Sequence, residues 1–519
     1  MEIPSVEMSR RNLGKVLAFG AVAAATSPLL AACGPSTSGG SSSSGSSRKT
    51  LRVGATGGGS SETLNPNSAL SETDVARTAQ IFEGLTTFDP TGKVVNRLAE
   101  SVTADASGKV WTVRLKDATF HSGAKLTAAD VLYSFTYMLN PKSKADGAGP
   151  LADVDLKNCK KLDDKTVSIA LHRPNFLFPT LLGERSVVIV PTGTTTFDKP
   201  VGTGPFKLVS FRPGDRAKFA SFEQYHGGAP AIGELEIISI DDPKARMNAL
   251  SSGVVDAIAE VAPQLIATAT GSGVKLLQAA SGSFSTQYMD MTKGPFTDKR
   301  VRQAMRLLAD RKQMISNALF GAGDLGNDLS STFDPDYASG LAQRTYDPDQ
   351  AKSLLKAAGA DGLTVTLHTS DAGLAMLESS TLYAAQAKAA GVTVNLHKWS
   401  TSDYWTRAWM QQPFACSHWG GRPLISHLQL SVLPGASYNE TQWNNPTFNG
   451  LVADAMASSD AGARHDKLVA AQTMLYDEGG YIVWGFAKNV DATVSGLSGI
   501  TPSAIRSLGN YDFRGARFA

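Results

Sequence analysis

LTVTLHTSDAGLAMLESSTLYAAQAKAAGVTVNLH, residues 363–397, changes period twice. Leu363–Leu367 alternates apolar and polar residues, the period of two that marks a half-buried strand. Ala375–Ala390 reads as a helix and Val392–His397 as a second strand. Strands joined through a helix run parallel, because a tight hairpin cannot return the chain in the same direction. This βαβ unit places at least part of the chain in an α/β fold with a parallel sheet.

Further signals lie upstream. Asp347-Pro348-Asp349-Gln350 combines an N-cap, a proline at the first helical position and a glutamine that can reach back, and the helix it opens stops at Gly359. Asp298 can cap a helix with Val301, Met305 and Leu308 on one face. In WTVRLKDATFHSGAKLTAAD, residues 111–130, Trp111, Val113 and Leu115 alternate with polar residues as a strand. Thr127 and Asp130 then form a capping box before a helix striped by Val131, Phe135, Met138 and Leu139. Lys165–Leu171 alternates as another strand, and Leu51–Gly54 reads as the first strand, entering Gly57-Gly58-Gly59. That glycine run lacks the spacing and the Lys-Ser/Thr ending of a phosphate cradle. No repeat has the period of a solenoid or propeller.

The chain has 519 residues, enough for about three or four domains. Lys and Arg number 49 against 47 Asp and Glu, a net charge of +2, so nothing points to nucleic acid as a partner. Hydrophobic residues make up 42%, which excludes disorder for the chain as a whole, and three cysteines exclude a disulfide scaffold. One apolar run, Val16–Ala32, approaches a spanning length, which excludes a multispan membrane protein.

That run follows Ser9-Arg10-Arg11-Asn12-Leu13 and has the shape of a secretory signal over residues 1–32. The paired arginines and the Ala/Gly-rich run resemble the twin-arginine type, although position 13 carries Leu where that motif prefers Phe. Glu2 and Glu7 are out of place in such a leader and point to Met8 as the start. Leu30-Ala31-Ala32-Cys33 resembles a bacterial lipobox, which implies lipidation of Cys33. Residues 33–47 form a Ser/Gly-rich spacer with too little apolar surface to fold. The expected location is the extracytoplasmic face of the cell membrane, lipid-anchored, in the cell envelope or periplasm.

Catalytic constellations are missing from the sequence. It has no G-x-S-x-G elbow, no H-E-x-x-H helix and no Walker loop. No two of its eight histidines have the i, i+4 spacing of a helical metal site; His418 and His427 flank a loop and can meet in space. Cys159 and Cys416 read as buried free thiols. Tryptophan is concentrated late: Trp399, Trp405, Trp409, Trp419, Trp443 and Trp484 against Trp111 alone in the first half. Such a group suits either a lobe core or the wall of a small-ligand cleft.

Several stretches together resemble the family 5 extracellular solute-binding proteins, the peptide, nickel and opine receptors of ABC importers. They are QIFEGL (80–85), LAES (98–101), the 111–130 block, PVGTGPF (200–206) and GPFTDKRVRQA (294–304), with Asp310-Arg311 closing the last. The resemblance covers about residues 50–500. It implies an α/β, two-lobed periplasmic-binding-protein clamshell of the class II type with an extra appended α/β domain. Lobe one would be 48–82 plus 199–285 plus 482–519, the appended domain 83–198, and lobe two 286–481. It implies a monomer that captures a small-molecule or peptide-like ligand and delivers it to an ABC permease complex. No enzymatic activity, cofactor, metal or nucleic acid is expected. Alternatives are an extracellular hydrolase on the same scaffold and a receptor for a metal chelate.

The strongest motifs are expected to be structural: His121 sits in a turn, Asp130 caps a helix, Gly202–Pro205 turns the chain, and Arg300, Arg302, Asp310 and Arg311 form a helix ion-pair network. In peptide-binding members, lobe two carries an aromatic-x-x-Asp segment whose Asp holds the peptide ammonium. The matching segment here is His418-Trp419-Gly420-Gly421-Arg422-Pro423, with Arg in place of Asp. An ammonium beside a guanidinium is repelled by a few kcal/mol at ~4 Å and an effective dielectric of about 20. The expected ligand therefore carries a carboxylate or other acceptor-rich group: an opine-like conjugate, a blocked peptide or a glycan fragment. Trp419 would stack on it and Arg422 would bind its acceptor, with His418, Trp443, Trp484, Leu70 and Ser71 as further contacts.

Overall fold

A computed structural model describes residues 50–69, 71–269 and 273–519. The expected signal, Cys33, the spacer and Leu70 lie outside the described residues.

Three sheets organise the chain. The first has seven strands in the order Val274–Ala279, Asn489–Val494, Ala257–Ile258, Thr50–Ala55, Glu234–Ser239, Arg216–Ser221 and Phe206–Arg212. Thr50–Ala55 runs parallel to both its neighbours, and the flanking pairs are antiparallel. The second has six strands in the order Gly323–Leu325, Tyr481–Ala487, Phe284–Met289, Phe414–Trp419, Thr364–Thr369 and Thr393–Lys398. Its last two strands are the expected parallel pair, in register from Thr364↔Thr393 to Thr369↔Lys398. The connecting helix is Met376–Ala387, tightened into a 3₁₀ turn Lys388–Ala390 and ended by Gly391 at φ 79°. The third sheet is antiparallel, Ala99–Ala104, Val110–Leu115, Thr166–Ala170 and Lys160–Lys161. Its core runs without a break from Trp111, Val113 and Phe135 to Leu424, Leu428 and Phe448 beside the six-stranded sheet. Phe176 N–H donates to Met456 O across that junction (2.7 Å).

The chain passes between the two large sheets twice, at residues 280–283 and at Lys488. Both crossings differ from the expected boundaries at 285 and 481. Tyr481–Ala487 is hydrogen-bonded on one side to Phe284–Met289 and on the other to Gly323–Leu325, so the whole strand stays in the six-stranded sheet.

The family motifs lock onto one another. His121 N–H donates to Gly202 O (2.8 Å) and its ring Nε2 to Gly204 O (2.9 Å). Glu83 of QIFEGL accepts from Tyr225 OH (2.7 Å), His226 Nε2 (2.9 Å) and Thr203 Oγ1 (3.1 Å). Burial opposes the Glu83 charge, yet these donors and the Arg97 cation hold its pKa below the usual carboxylate value. Asp130 receives Thr127 N–H (2.9 Å) as a helix cap and Thr192 N–H (2.8 Å) from the neighbouring segment.

The expected ion-pair network of the Arg300–Arg311 stretch is corrected in part. Arg300 pairs with Asp298, and Asp310 caps the helix Arg311–Ala318. Arg302 and Arg306 are buried and donate instead to carbonyls at the end of the helix Ala461–Glu478: Glu478 O (2.9 Å), Tyr476 O (2.6 Å) and Asp477 O (2.6 Å). Those carbonyls have no partner within their helix, and a cation satisfies both their hydrogen bonds and the negative end of the dipole. Cys159 and Cys416 are free thiols, Cys416 buried with its Sγ 2.8 Å from Ser380 Oγ.

A Cβ at Gly202 would sit 1.9 Å from Ile81 O, a contact with rigid backbone. Gly202→Ala is therefore expected to destabilise by about 3 kcal/mol through overpacking. Gly450→Ala, in a helix with open space around it, should be neutral or slightly stabilising. Urea midpoints of the two variants check the contrast.

Candidate ligand-binding cleft

The strand Phe414–Trp419 delivers His418 and Trp419 to opposite faces of the six-stranded sheet. Trp419 is 6% exposed, and its Nε1–H donates to Glu440 Oε2 (3.1 Å). Glu440 is the hub of this layer, accepting also from Trp409 Nε1 (2.5 Å), Tyr481 OH (2.7 Å) and Ser417 Oγ. Burial raises its pKa although all four donors oppose the rise. His427 and Tyr438 pack edge-on to the Trp419 ring, with centroids 4.8 and 6.2 Å away. The Arg422 guanidinium lies 5.4 Å from the same ring centroid. The expected open stacking wall is thus corrected: the ring is packed by protein and serves as the platform for Arg422.

Two other expected wall residues are elsewhere. Trp484 is fully buried among Met305, Ile315 and Tyr383 in the core of the six-stranded sheet, because its strand does not leave that sheet. Trp443 is buried against Phe448. Ser71 caps the helix Glu72–Ile81, its Oγ accepting from Asp74 N–H (3.1 Å). His427 is buried between Trp419 and Phe284, and burial with the Arg422 charge takes its pKa down to about 3. Among the described residues no group of three His, Cys, Asp or Glu side chains is placed to hold a metal ion.

Several charged or titratable side chains keep accessible surface while protein crowds them closely enough for burial to dominate their pKa shifts. They include His418 and Arg422 beside the six-stranded sheet, Glu260 beside the seven-stranded sheet, and Arg185 before the latter. Each also feels a charge from another segment: His418 feels Glu72, Arg422 feels Glu184 and Arg506, and Arg185 feels Arg506 and Arg422. A cavity of about 380 Å³ includes Arg185, Gly421, Arg506, Tyr511, Thr78 and Phe82 in its lining.

The opposite wall is built on strained backbone. Leu508, Gly509, Asn510 and Tyr511 all have positive φ (47°, 67°, 63° and 56°), a left-handed turn that costs roughly 1–2 kcal/mol for each non-glycine residue. It is held by Leu508 N–H to Asp491 Oδ2 (2.6 Å), and it sets Tyr511 OH (2.6 Å) and Arg506 Nη1 (3.0 Å) on the Glu72 carboxylate. Glu260, also at φ 56°, donates its N–H to Asp491 Oδ1 (3.0 Å) and accepts from Thr56 Oγ1 (2.6 Å). Arg246, its nearest cation, is spent on the carbonyls of Ile240, Asp241, Ala259 and Glu260. Burial, with the Glu72 and Asp491 charges, pushes Glu260 up to about 7. Sequence reading reached none of Arg185, Arg506, Glu72, Glu260 or Glu440, since each stands outside any motif.

A two-lobed receptor that encloses a solute is the class of protein these features define. Residues 93–434 match the bacterial extracellular solute-binding proteins, family 5 (middle region), and the chain belongs to that family. It is 26% identical to the glutathione-binding protein GsiB of Pectobacterium atrosepticum over 86% of this chain and 90% of that one. It is 25% identical to the di/tripeptide-binding protein 2 of Pseudomonas aeruginosa, covering 82% and 88%. Among solved structures it resembles the periplasmic binding protein AgaA of A. tumefaciens R10 in complex with agropinic acid, at 25% identity, TM-score 0.79 and coverage of 91% and 99%. The fold is the α/β two-lobed clamshell, and the protein is a solute-binding component of an ABC importer. Family members work outside the cytoplasm, and no described helix is long and apolar enough to cross a membrane.

Glu260 supplies a pH test. Its folded pKa of about 7 lies above the ordinary 4.5, so its support for the fold is complete below about pH 4.5 and is lost as pH rises through about 7. Glu260→Gln should raise Tm at pH 8 and leave it unchanged at pH 4.5. Scanning calorimetry at the two pH values measures the difference.

Proposed function

We propose that this receptor captures a solute bearing a carboxylate or another acceptor-rich group, and that Arg422 binds that group. The observation that carries the reading is the state of Arg422: it makes no hydrogen bond or ion pair with any described residue, and its Nε is buried without an acceptor. An unpaired guanidinium in a desolvated cleft is costly, and a ligand acceptor removes the cost. The same residue stands where peptide-binding relatives place an ammonium-binding Asp, so free amino termini are disfavoured there. An opine-like conjugate or a blocked peptide fits, and the agropinic-acid complex of the similar AgaA supports an acidic conjugate. The protein performs no chemistry on its solute and acts as a monomer.

The leader and lipobox support a lipid anchor at Cys33 on the outer face of the cell membrane. Lobe one, lobe two and the appended domain correspond to the seven-, six- and four-stranded sheets.

Native mass spectrometry of gently purified protein identifies the solute, and calorimetry then reads the variants. Arg422→Ala should weaken binding ten- to a hundredfold, at about 1.4 kcal/mol per tenfold, while the ligand-free protein, relieved of an unpaired cation, should be at least as stable as wild type. Arg422→Asp should bind the native solute more weakly still. Equal affinity in wild type and Arg422→Ala would remove the guanidinium from recognition. Cys33→Ser should move the protein from membranes to the soluble fraction with affinity unchanged; retention on membranes would rule out the lipid anchor.

A further inference from the structure

Phe333 belongs to the long segment between the strand Gly323–Leu325 and the helix Pro348–Ala357. Loops of that length inside a compact domain are uncommon and generally carry a function. This one is bound firmly to the six-stranded side. Ala338 N–H donates to Gln472 Oε1 (3.1 Å), Gln472 Nε2 to Asp336 O (2.7 Å) and Tyr476 OH to Ala342 O (2.9 Å). Asp334 Oδ2 accepts Leu424 N–H (2.8 Å). Ser331 has φ 62°, a strained backbone for a non-glycine residue, and Asp334 N–H closes the turn on its carbonyl (2.9 Å). The half-buried Phe333 ring that this turn presents reaches away from its own side. A Cβ at Gly92 would lie 2.5 Å from Phe333 Cδ2, and a Cβ at Gly282 would lie 2.4 Å from its Cε1. One edge of the ring therefore rests on the crossing segment 280–283. The opposite edge rests on the hairpin turn between Thr86–Phe88 and Val94–Asn96.

That hairpin turn is tied to the segment that follows the seven-stranded sheet. Ala504 N–H donates to Pro90 O (2.8 Å), and Ile505 Cδ1 lies 3.3 Å from the same Cβ position at Gly92. The crossing is tied there too, Gly282 N–H donating to Ala504 O (3.2 Å). Gly421 meets this place from the six-stranded side: its N–H donates to Ser283 Oγ (3.1 Å), and a Cβ on it would lie 2.9 Å from Ala504 O. Gly92, at φ 92°, suits glycine by its backbone alone. Gly282 and Gly421 have no left-handed φ, so close approach is what excludes a side chain at both. We infer that Phe333 is a latch between the two sides of the clamshell. Its ring fills the slot between Gly92 and Gly282 when the sides are together, and it leaves Gly92 when they rotate apart about residues 280–283 and Lys488. The edge on Gly282 turns with the crossing, whereas the edge on the hairpin loses its contact and meets water. That loss opposes opening whatever the solute. The latch thus raises the closed population, in solute-free protein as well, and strengthens the binding of every solute by the same factor. It does so independently of the part played by Arg422.

The test uses protein stripped of solute by dialysis, as wild type, Phe333→Ala, Phe333→Leu, Gly282→Ala and the Gly282→Ala/Phe333→Ala double variant. X-ray scattering gives the radius of gyration, and hydrogen exchange read by mass spectrometry gives the opening of single segments. Phe333→Ala should have a larger radius than wild type. The Gly282 and Gly421 amides should exchange at least tenfold faster in it, while the strand Thr364–Thr369 exchanges as before. Phe333→Leu keeps apolar bulk without the two-edged ring and should fall between. Gly282→Ala should open the receptor in the same way, because its Cβ expels the ring, and the double variant should open no further than either single one. Additive opening in the double variant takes the ring out of the slot and overturns the latch. A wild-type radius in Phe333→Ala, or faster exchange spread evenly over the six-stranded sheet, makes the ring an ordinary core residue and overturns it too. If Phe333→Ala does not fold, Phe333→Leu decides: wild-type radius and exchange overturn the latch, and a larger radius with faster exchange confined to Gly282 and Gly421 upholds it. No solute enters the measurement, so the fate of the Arg422 reading and that of the latch are read separately.

Discussion

Burying the Glu83 carboxylate is possible only because three separate segments bring it partners. Tyr225, His226 and Thr203 donate to it, and Arg97 supplies a charge at 3.7 Å. Leaving a buried carboxylate with donors missing costs several kcal/mol, so the contacts form together or fail together. The consequence is geometric. The end of the helix Glu72–Ile81 is fixed against the Gly202–Pro205 turn, and His121 pins the same turn from the four-stranded sheet. The position of Glu72 at the cleft, one helix length from Glu83, follows from this knot.

The six-stranded sheet uses the same device in a different material. Arg302 and Arg306 close the carbonyl end of a helix, and Glu440 gathers four neutral donors from Trp409, Trp419, Tyr481 and Ser417. These buried polar groups have nearly all their demand met inside the protein. Trp419 is held rigid by that network, and the Arg422 guanidinium lies against a ring that cannot yield.

The cleft differs in kind from both. Arg422 keeps a buried Nε without an acceptor, and Glu260, on a left-handed backbone, keeps a carboxylate whose pKa is raised by burial and by the Glu72 and Asp491 charges.

The sequence by itself determined the βαβ unit at 363–397, the strand at Trp111–Leu115, the caps at Thr127, Asp298 and Asp347, and the family, because each is written in local periodicity or in a contiguous block. It misplaced Trp484 and Trp443, since tryptophan content says nothing about which side of a sheet faces core and which faces cleft. Only the tertiary structure brought Arg185, Arg506 and Gly421 to one cavity and set Arg506 on the Glu72 carboxylate. Charge pairing depends on distances between segments far apart in the chain, and no period along the sequence encodes whether a guanidinium will meet a carboxylate or be left waiting for one.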